Sequence, residues 1–131
     1  MNILSRLQEH LNFCQDRIPG KVVGIFFFGS ENYNLHTPES DVDAKMLFIP
    51  EARESLTVPE ELIHNGKELI SVVDIRYMLC HLCDGDLHLL EILYSKYYII
   101  LPEFQNFWEK LRSLRAEIAK SNIEGLFSYL G

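Results

Sequence analysis

The chain has 131 residues, 47% of them hydrophobic, and a formal net charge of −7. Such a length and composition predict one globular domain with its own core, and the absence of any run of about 18 apolar residues argues against a membrane span. The acidic balance and scattered basic residues exclude strong non-specific DNA binding, which needs a basic stripe. Three cysteines, and an N-terminus unlike a signal peptide, predict a cytoplasmic protein.

The first half of the chain predicts one helix and two strands around a short helix. Apolar residues recur at helical spacing over residues 3–16, and a Pro-Gly pair ends that helix. Residues 22–28 are a continuous apolar run, which is typical of a strand buried on both faces. A short helix over 30–35 and a second strand over 41–49 follow.

The second half predicts a hairpin followed by helices. Residues 60–64 and 67–73 flank an Asn-Gly pair, which favours a type I′ turn. Asp74 can cap a helix that follows it. The remaining predicted elements are helices over 75–83, 87–95 and 103–120, with an apolar segment over 99–101.

The junction between the first strand and the short helix predicts a phosphate-binding site at Gly29 and Ser30. A helix start offers free backbone N–H groups and a positive dipole end, and glycine lets the backbone approach an anion closely. The Ser30 hydroxyl can add one hydrogen bond to a phosphate oxygen.

The second strand predicts a metal site. Residues two apart on a strand share a face, so Asp41, Asp43 and Lys45 lie together, while the intervening residues are all apolar. Two adjacent carboxylates repel unless a cation lies between them, and hard oxygen ligands suit Mg²⁺ or Mn²⁺.

The segment from Gly29 to Asp43 resembles a known signature. It is similar to the motif Gly-Ser-x-x-Tyr-Gly-Leu-x-Thr-Pro-x-Ser-Asp-x-Asp of predicted bacterial and phage nucleotidyltransferases, a branch of the DNA polymerase β-type nucleotidyltransferase superfamily. The stretches 74–79 and 89–95 also resemble that branch, so the resemblance covers about residues 20 to 105.

The resemblance implies an α/β fold, the polymerase β-like nucleotidyltransferase fold, with a small mixed twisted sheet flanked by helices. It implies transfer of an NMP from an NTP to an acceptor hydroxyl, with Mg²⁺ or Mn²⁺ as cofactor and a bacterial or phage source. The acceptor is left open among an RNA end, a protein and a small molecule. We expect the nucleotidyltransferase core over 1–101, and over 102–131 the start of a helical C-terminal part that is either truncated or a naturally shortened version.

The superfamily normally uses a third carboxylate on a neighbouring strand, and the matching position here holds Ser71. Glu68 and Asp74 are the nearest candidates to complete the site, and each has an ordinary alternative, as a solvated hairpin residue and as a helix cap. Lys45 matches a basic position of the motif, and it either contacts the triphosphate or neutralises Asp43.

Two other functions stay open. The first is a nucleotide-binding or regulatory protein with a decayed site, which Ser71 favours. The second is an interaction module, completed by a partner chain or as an oligomer, which an exposed apolar face over residues 118–130 would favour.

Overall fold

A computed structural model describes residues 2–18, 20–28, 41–51, 60–84 and 87–130 of the chain. Within these ranges helices and strands are interspersed along the chain. In order they are α1 (Ile3–Gln15), β1 (Gly20–Phe27), β2 (Ala44–Pro50), β3 (Glu60–Asn65), β4 (Glu68–Asp74), α2 (Ile75–His81), α3 (Leu87–Leu93), β5 (Tyr98–Ile100), a 3₁₀ turn (Pro102–Phe104), α4 (Gln105–Ser113) and α5 (Arg115–Leu130).

The strands form one mixed sheet in the order β3-β4-β2-β1-β5. The central pair β2 and β4 is parallel, whereas β1–β2, β1–β5 and β3–β4 are antiparallel. The sheet with helices packed on it confirms the predicted α/β class.

Each face of the sheet carries its own apolar cluster. On one face α1 packs against alternate residues of the central strands, among them Ala44, Met46, Ile70 and Val72. On the other face Phe26, Leu47 and Val73 pack with residues of α2, α3 and the C-terminal helices, including the buried Trp108. Central strands covered on both sides are expected to be continuously apolar, and the burial of β1 from Val22 to Phe27 confirms that prediction.

Helix α1 follows the predicted bounds closely. The Asn2 side chain caps it by accepting hydrogen bonds from the backbone of Leu4 (2.9 Å) and Ser5 (3.5 Å). Its buried stripe consists of Ile3, Leu7, His10, Leu11 and Cys14. A histidine therefore lies in an otherwise apolar stripe that faces the sheet.

The hairpin is confirmed, but its turn lies one residue later than predicted. Asn65 pairs with Glu68, so the two-residue turn consists of Gly66 and Lys67. Gly66 has a φ of 66°, a conformation that glycine adopts without a steric penalty. The prediction that Asn65 itself lies in the turn was wrong, because its backbone belongs to the ladder.

The single helix predicted over 103–120 is also wrong, because it divides at Leu114 into α4 and α5. The Leu114 amide donates to Leu111 O (3.1 Å), and the Ser113 hydroxyl donates to the Lys110 carbonyl (2.6 Å). These local bonds compete with the i−4 pattern and end α4. Phe107 and Leu114 of this region are exposed.

Candidate active site

The two aspartates of the predicted metal site lie immediately before β2, not within it. Asp41 and Asp43 flank Val42, whose side chain is buried in the cluster under α1. Alternation then places both carboxylates on the opposite side of the chain, where Asp43 is half-buried and Asp41 exposed. The Phe28 amide donates to Asp43 O (3.0 Å), so β1 still holds this segment at its end.

Each aspartate has a contact from the hairpin. The Leu69 amide donates to Asp43 Oδ1 (2.9 Å), which fixes the orientation of that carboxylate. Lys67 Nζ lies 3.4 Å from Asp41 Oδ1, but both side chains are exposed and such a pair contributes little to stability.

The donor set fits a hard divalent cation. Mg²⁺ is commonly held by one or two carboxylates, and substrate phosphates and water supply the other ligands. Asp41 and Asp43 provide two oxygen donors on one side of a short segment. Among the residues that the structure describes, no group of three or more His, Cys, Asp or Glu side chains could hold a metal by itself.

Lys45 lies on the same face as the aspartates, as its position in the strand predicts. It is only 8% exposed, and its Nζ lies 4.9 Å from the centre of the Phe28 ring. Its neighbours in the sheet are Phe26 on β1 and Ser71 on β4. The Lys45 ammonium group thus lies on the side of the carboxylate pair and makes a cation–π contact with the Phe28 ring.

The residues of β4 that share the face of the aspartates are not carboxylates. Paired residues of neighbouring strands point the same way, so Ser71 lies beside Lys45, and Leu69, one step before the first pair of the β2–β4 ladder, lies beside Asp43. By the same alternation Glu68 and Asp74 point to the α1 face. The described part of β4 therefore brings no third carboxylate to the pair.

The Glu68 side chain points away from the face of the aspartates, towards α1. It is 6% exposed; its Oε2 accepts a hydrogen bond from the Val42 amide (2.5 Å), and its Oε1 accepts one from the Arg6 guanidinium. The hydrogen bond to Glu68 raises the pKa of Arg6 above its ordinary value. The expectation of a solvated hairpin residue was wrong, because Glu68 is buried and hydrogen-bonded.

Asp74 lies at the other end of the strand. It is fully buried, caps α2 by accepting from the Arg76 amide (2.8 Å), and forms an ion pair with the Arg76 side chain (2.8 Å). It pairs in register with Phe48, five residues along β2 from Asp43, which is about 16 Å at the usual rise of a strand. The structure does not bring Asp74 to the aspartate pair.

The phosphate-binding residues predicted at Gly29 and Ser30 lie outside the described residues, as does the predicted helix over 30–35. Their role stays a prediction. The end of β1 leads towards them, since Phe28 is hydrogen-bonded to the Asp43 carbonyl.

Sequence reasoning missed three residues beneath the aspartates, namely Arg6, His10 and Asn65. Their contacts join segments that are 32 to 62 residues apart, and no local pattern reports such pairs. One signal was present in the sequence: His10 shares the helical spacing of Leu7, Leu11 and Cys14, and so belongs to the buried stripe of α1.

Comparison with known proteins identifies the family. The family model described as "Nucleotidyltransferase domain" matches residues 7–124. The chain therefore belongs to the nucleotidyltransferase domain family, and its α/β sheet is consistent with that fold.

The chain is also similar to an uncharacterized 38.9 kDa protein in the nrdC-mobD intergenic region of Enterobacteria phage T4. The two are 28% identical over 124 residues, which cover 85% of this chain and 36% of the phage protein. The chain thus spans about a third of the length of that relative. No solved structure matches the present chain. In the described residues, no helix is both long and apolar enough to cross a membrane.

Proposed function

We propose that this chain is a metal-dependent nucleotidyltransferase, which transfers an NMP from an NTP to an acceptor hydroxyl and releases pyrophosphate. One observation carries the proposal: within the family match over residues 7–124, Asp41 and Asp43 lie together on one side of the segment that opens β2. The acceptor hydroxyl belongs to an RNA end, a protein or a small molecule.

The residues have distinct parts in this proposal. Asp41 and Asp43 hold Mg²⁺ or Mn²⁺, which would neutralise phosphate charge and activate the acceptor hydroxyl. The Leu69 amide orients the Asp43 carboxylate. Gly29 and Ser30 bind the β- and γ-phosphates, and Lys45 either contacts the triphosphate or balances the charge of Asp43.

The first test is thermal unfolding with each of the four NTPs, with and without Mg²⁺ or Mn²⁺. A ligand at about 100 times its Kd adds roughly 2.7 kcal/mol to stability, which shifts the Tm of a domain of this size by several degrees. We expect a metal-dependent shift with the preferred nucleotide, and pyrophosphate release once an acceptor is supplied.

The variant Asp43→Asn removes the charge and keeps an oxygen that can accept from the Leu69 amide. It should abolish the metal-dependent shift. The matched control Asp16→Asn makes the same change at an exposed position after α1 and should leave the shift intact. No shift with any nucleotide in the wild type, or a shift that persists in Asp43→Asn, would contradict the proposed site.

A second candidate function is a nucleotide-binding protein that does not turn over. It is favoured by Ser71, which lies on the face of Asp43 where a third carboxylate would be expected. Under this hypothesis the wild type shows the thermal shift without pyrophosphate release, and Ser71→Asp introduces release whereas the neutral Ser71→Asn does not. Release by the wild type would eliminate this candidate.

A further inference from the structure

Beneath the aspartate pair lies a polar network that comes from three elements and is buried at His10 and Glu68. Its members are Arg6 and His10 on α1, Asn65 at the end of β3, and Glu68 at the start of β4. We name these four residues the α1 clamp. Buried polar groups are costly unless they are paired, so a network of this kind has to be satisfied as a whole.

The α1 clamp binds both backbone groups of Val42. Glu68 Oε2 accepts from the Val42 amide (2.5 Å), and His10 Nε2 donates to the Val42 carbonyl (2.8 Å). The amide belongs to the peptide that joins Val42 to Asp41, and the carbonyl belongs to the peptide that joins it to Asp43. Because each peptide is planar, holding both planes fixes φ and ψ of Val42 and thus the relative position of the two aspartates.

The clamp residues also hold one another. His10 is fully buried; its Nε2 donates to the Val42 carbonyl, and its Nδ1 lies 3.1 Å from the Asn65 side-chain amide nitrogen, within hydrogen-bond distance. His10 Nε2 lies 3.6 Å from Glu68 Oε1, which also accepts from Arg6. The Glu68 carboxylate is thus balanced by Arg6 on the α1 side, and it can hold Val42 without turning towards the aspartates.

We propose that the α1 clamp consists of positioning residues, which hold Asp41 and Asp43 in the geometry that binds the divalent cation. This proposal rests on the proposed function, since it presumes a cation at these aspartates. Residues 41–43 precede the ladder of β2, and two adjacent carboxylates repel. The neighbouring strands restrain this segment at Asp43, and the clamp adds a restraint at Val42 from the opposite side.

The test measures Mn²⁺ affinity from the electron paramagnetic resonance signal of free Mn²⁺, at a temperature well below every Tm. His10→Leu fills the buried space but removes the donor to Val42, whereas His10→Gln retains an N–H at about the position of Nε2. Outer partners of metal ligands typically contribute 10–100-fold to affinity. We expect His10→Leu to weaken Mn²⁺ binding by roughly 10-fold or more, and His10→Gln to restore most of it.

The control for stability is Leu11→Ala, because Leu11 lies on the same buried stripe and its apolar side chain cannot hydrogen-bond to the Val42 backbone. It should lower the Tm substantially through the cavity that it leaves, without changing Mn²⁺ affinity. If His10→Leu does not fold, the Mn²⁺ affinity of Glu68→Gln tests the clamp instead. This variant keeps an acceptor for the Val42 amide but loses the charge that Arg6 neutralises.

The outcomes separate the two proposals. If the wild type binds no Mn²⁺, or if Asp43→Asn binds it equally well, the metal site fails and the positioning role fails with it. If binding depends on Asp43 but His10→Leu and Glu68→Gln match the wild type, only the positioning role is overturned. An equal loss of affinity in Leu11→Ala and His10→Leu would also overturn it, since general destabilisation would then explain the effect.

Discussion

Two buried carboxylates occupy the two ends of β4, and they have different functions in the structure. Glu68 at its start and Asp74 at its end are 6% and 0% exposed, and each pairs with an arginine and accepts a backbone N–H. The amide that Glu68 binds is 26 residues away, whereas the amide that Asp74 binds is two residues away. Glu68 therefore joins distant segments, and Asp74 begins a helix.

Burial and an ion pair are common to both residues and therefore do not distinguish their roles. Both residues were candidates for the missing third carboxylate, and neither points to the face of Asp43. What distinguishes them is the element that each one restrains. Glu68 restrains the aspartate segment, and Asp74 restrains α2.

The largest expected effect is that of Glu68→Ala on stability. The change leaves the Val42 amide buried without an acceptor, and it removes the buried partner of Arg6, which keeps only the exposed Glu9. Breaking a buried pair costs about 3–5 kcal/mol, and the Arg6 side chain is 22% exposed, so we expect the lower end, about 3 kcal/mol. Urea unfolding would measure it as a lower midpoint at constant m. A loss below about 1 kcal/mol would mean that the clamp contributes little to folding.

A smaller effect is expected for Asp74→Ala. Loss of a helix cap costs about 1–2 kcal/mol, and Arg76 can turn its exposed guanidinium to water. The matched variant Asp74→Asn keeps a capping oxygen and should recover most of that loss. Urea unfolding measures both variants, and Mn²⁺ affinity should stay at the wild-type value in each. A weakened metal site in either variant would contradict the separation of the two ends of β4.

The smallest expected effect is a difference between cysteines in the rate at which a thiol reagent modifies them in the folded protein. Cys80 and Cys83 are exposed, whereas Cys14 is buried on the side of α1 that faces the sheet, and burial raises the pKa of the Cys14 thiol. A raised pKa keeps more of the thiol protonated at a given pH, so the reactive thiolate is scarcer. We expect a thiol reagent at pH 8 to modify Cys80 and Cys83 rapidly and Cys14 slowly, as mass spectrometry of peptides would show.

The labelling rate of Cys14 then compares the two ends of β4. Glu68→Ala loosens the attachment of α1, so Cys14 should react faster than in the wild type. Asp74→Asn leaves α1 attached, so its Cys14 should react at about the wild-type rate. Equal acceleration in both variants would show that the two carboxylates act on the same opening of the structure.

The same comparison explains what the sequence could predict. The capping role of Asp74 was an available alternative because it depends on residues that follow within one helical turn. Likewise, the face shared by Asp41, Asp43 and Lys45 follows from the alternation of a strand. The environment of Glu68 could not be predicted, because it depends on how α1 docks and on the register of β2 against β4.

The family and the α/β fold were predictable because a motif and an apolar pattern are properties of neighbouring residues. The division into a core over 1–101 and a C-terminal part stays a prediction. The break at Leu114 was missed because competing hydrogen bonds of Ser113 and the backbone leave no trace in apolar spacing.

The distance along the chain between Arg6 and Glu68 has a consequence for synthesis. The two residues are 62 positions apart, so α1 emerges well before the strand that it must meet. At about 5–20 residues per second, that interval is about 3 to 12 seconds. A helix of 13 residues is marginal in water by itself. A growing chain therefore carries Asp41 and Asp43 before Glu68 and the hairpin exist to restrain them, and under the proposed function it could capture a cation only once the hairpin has been made.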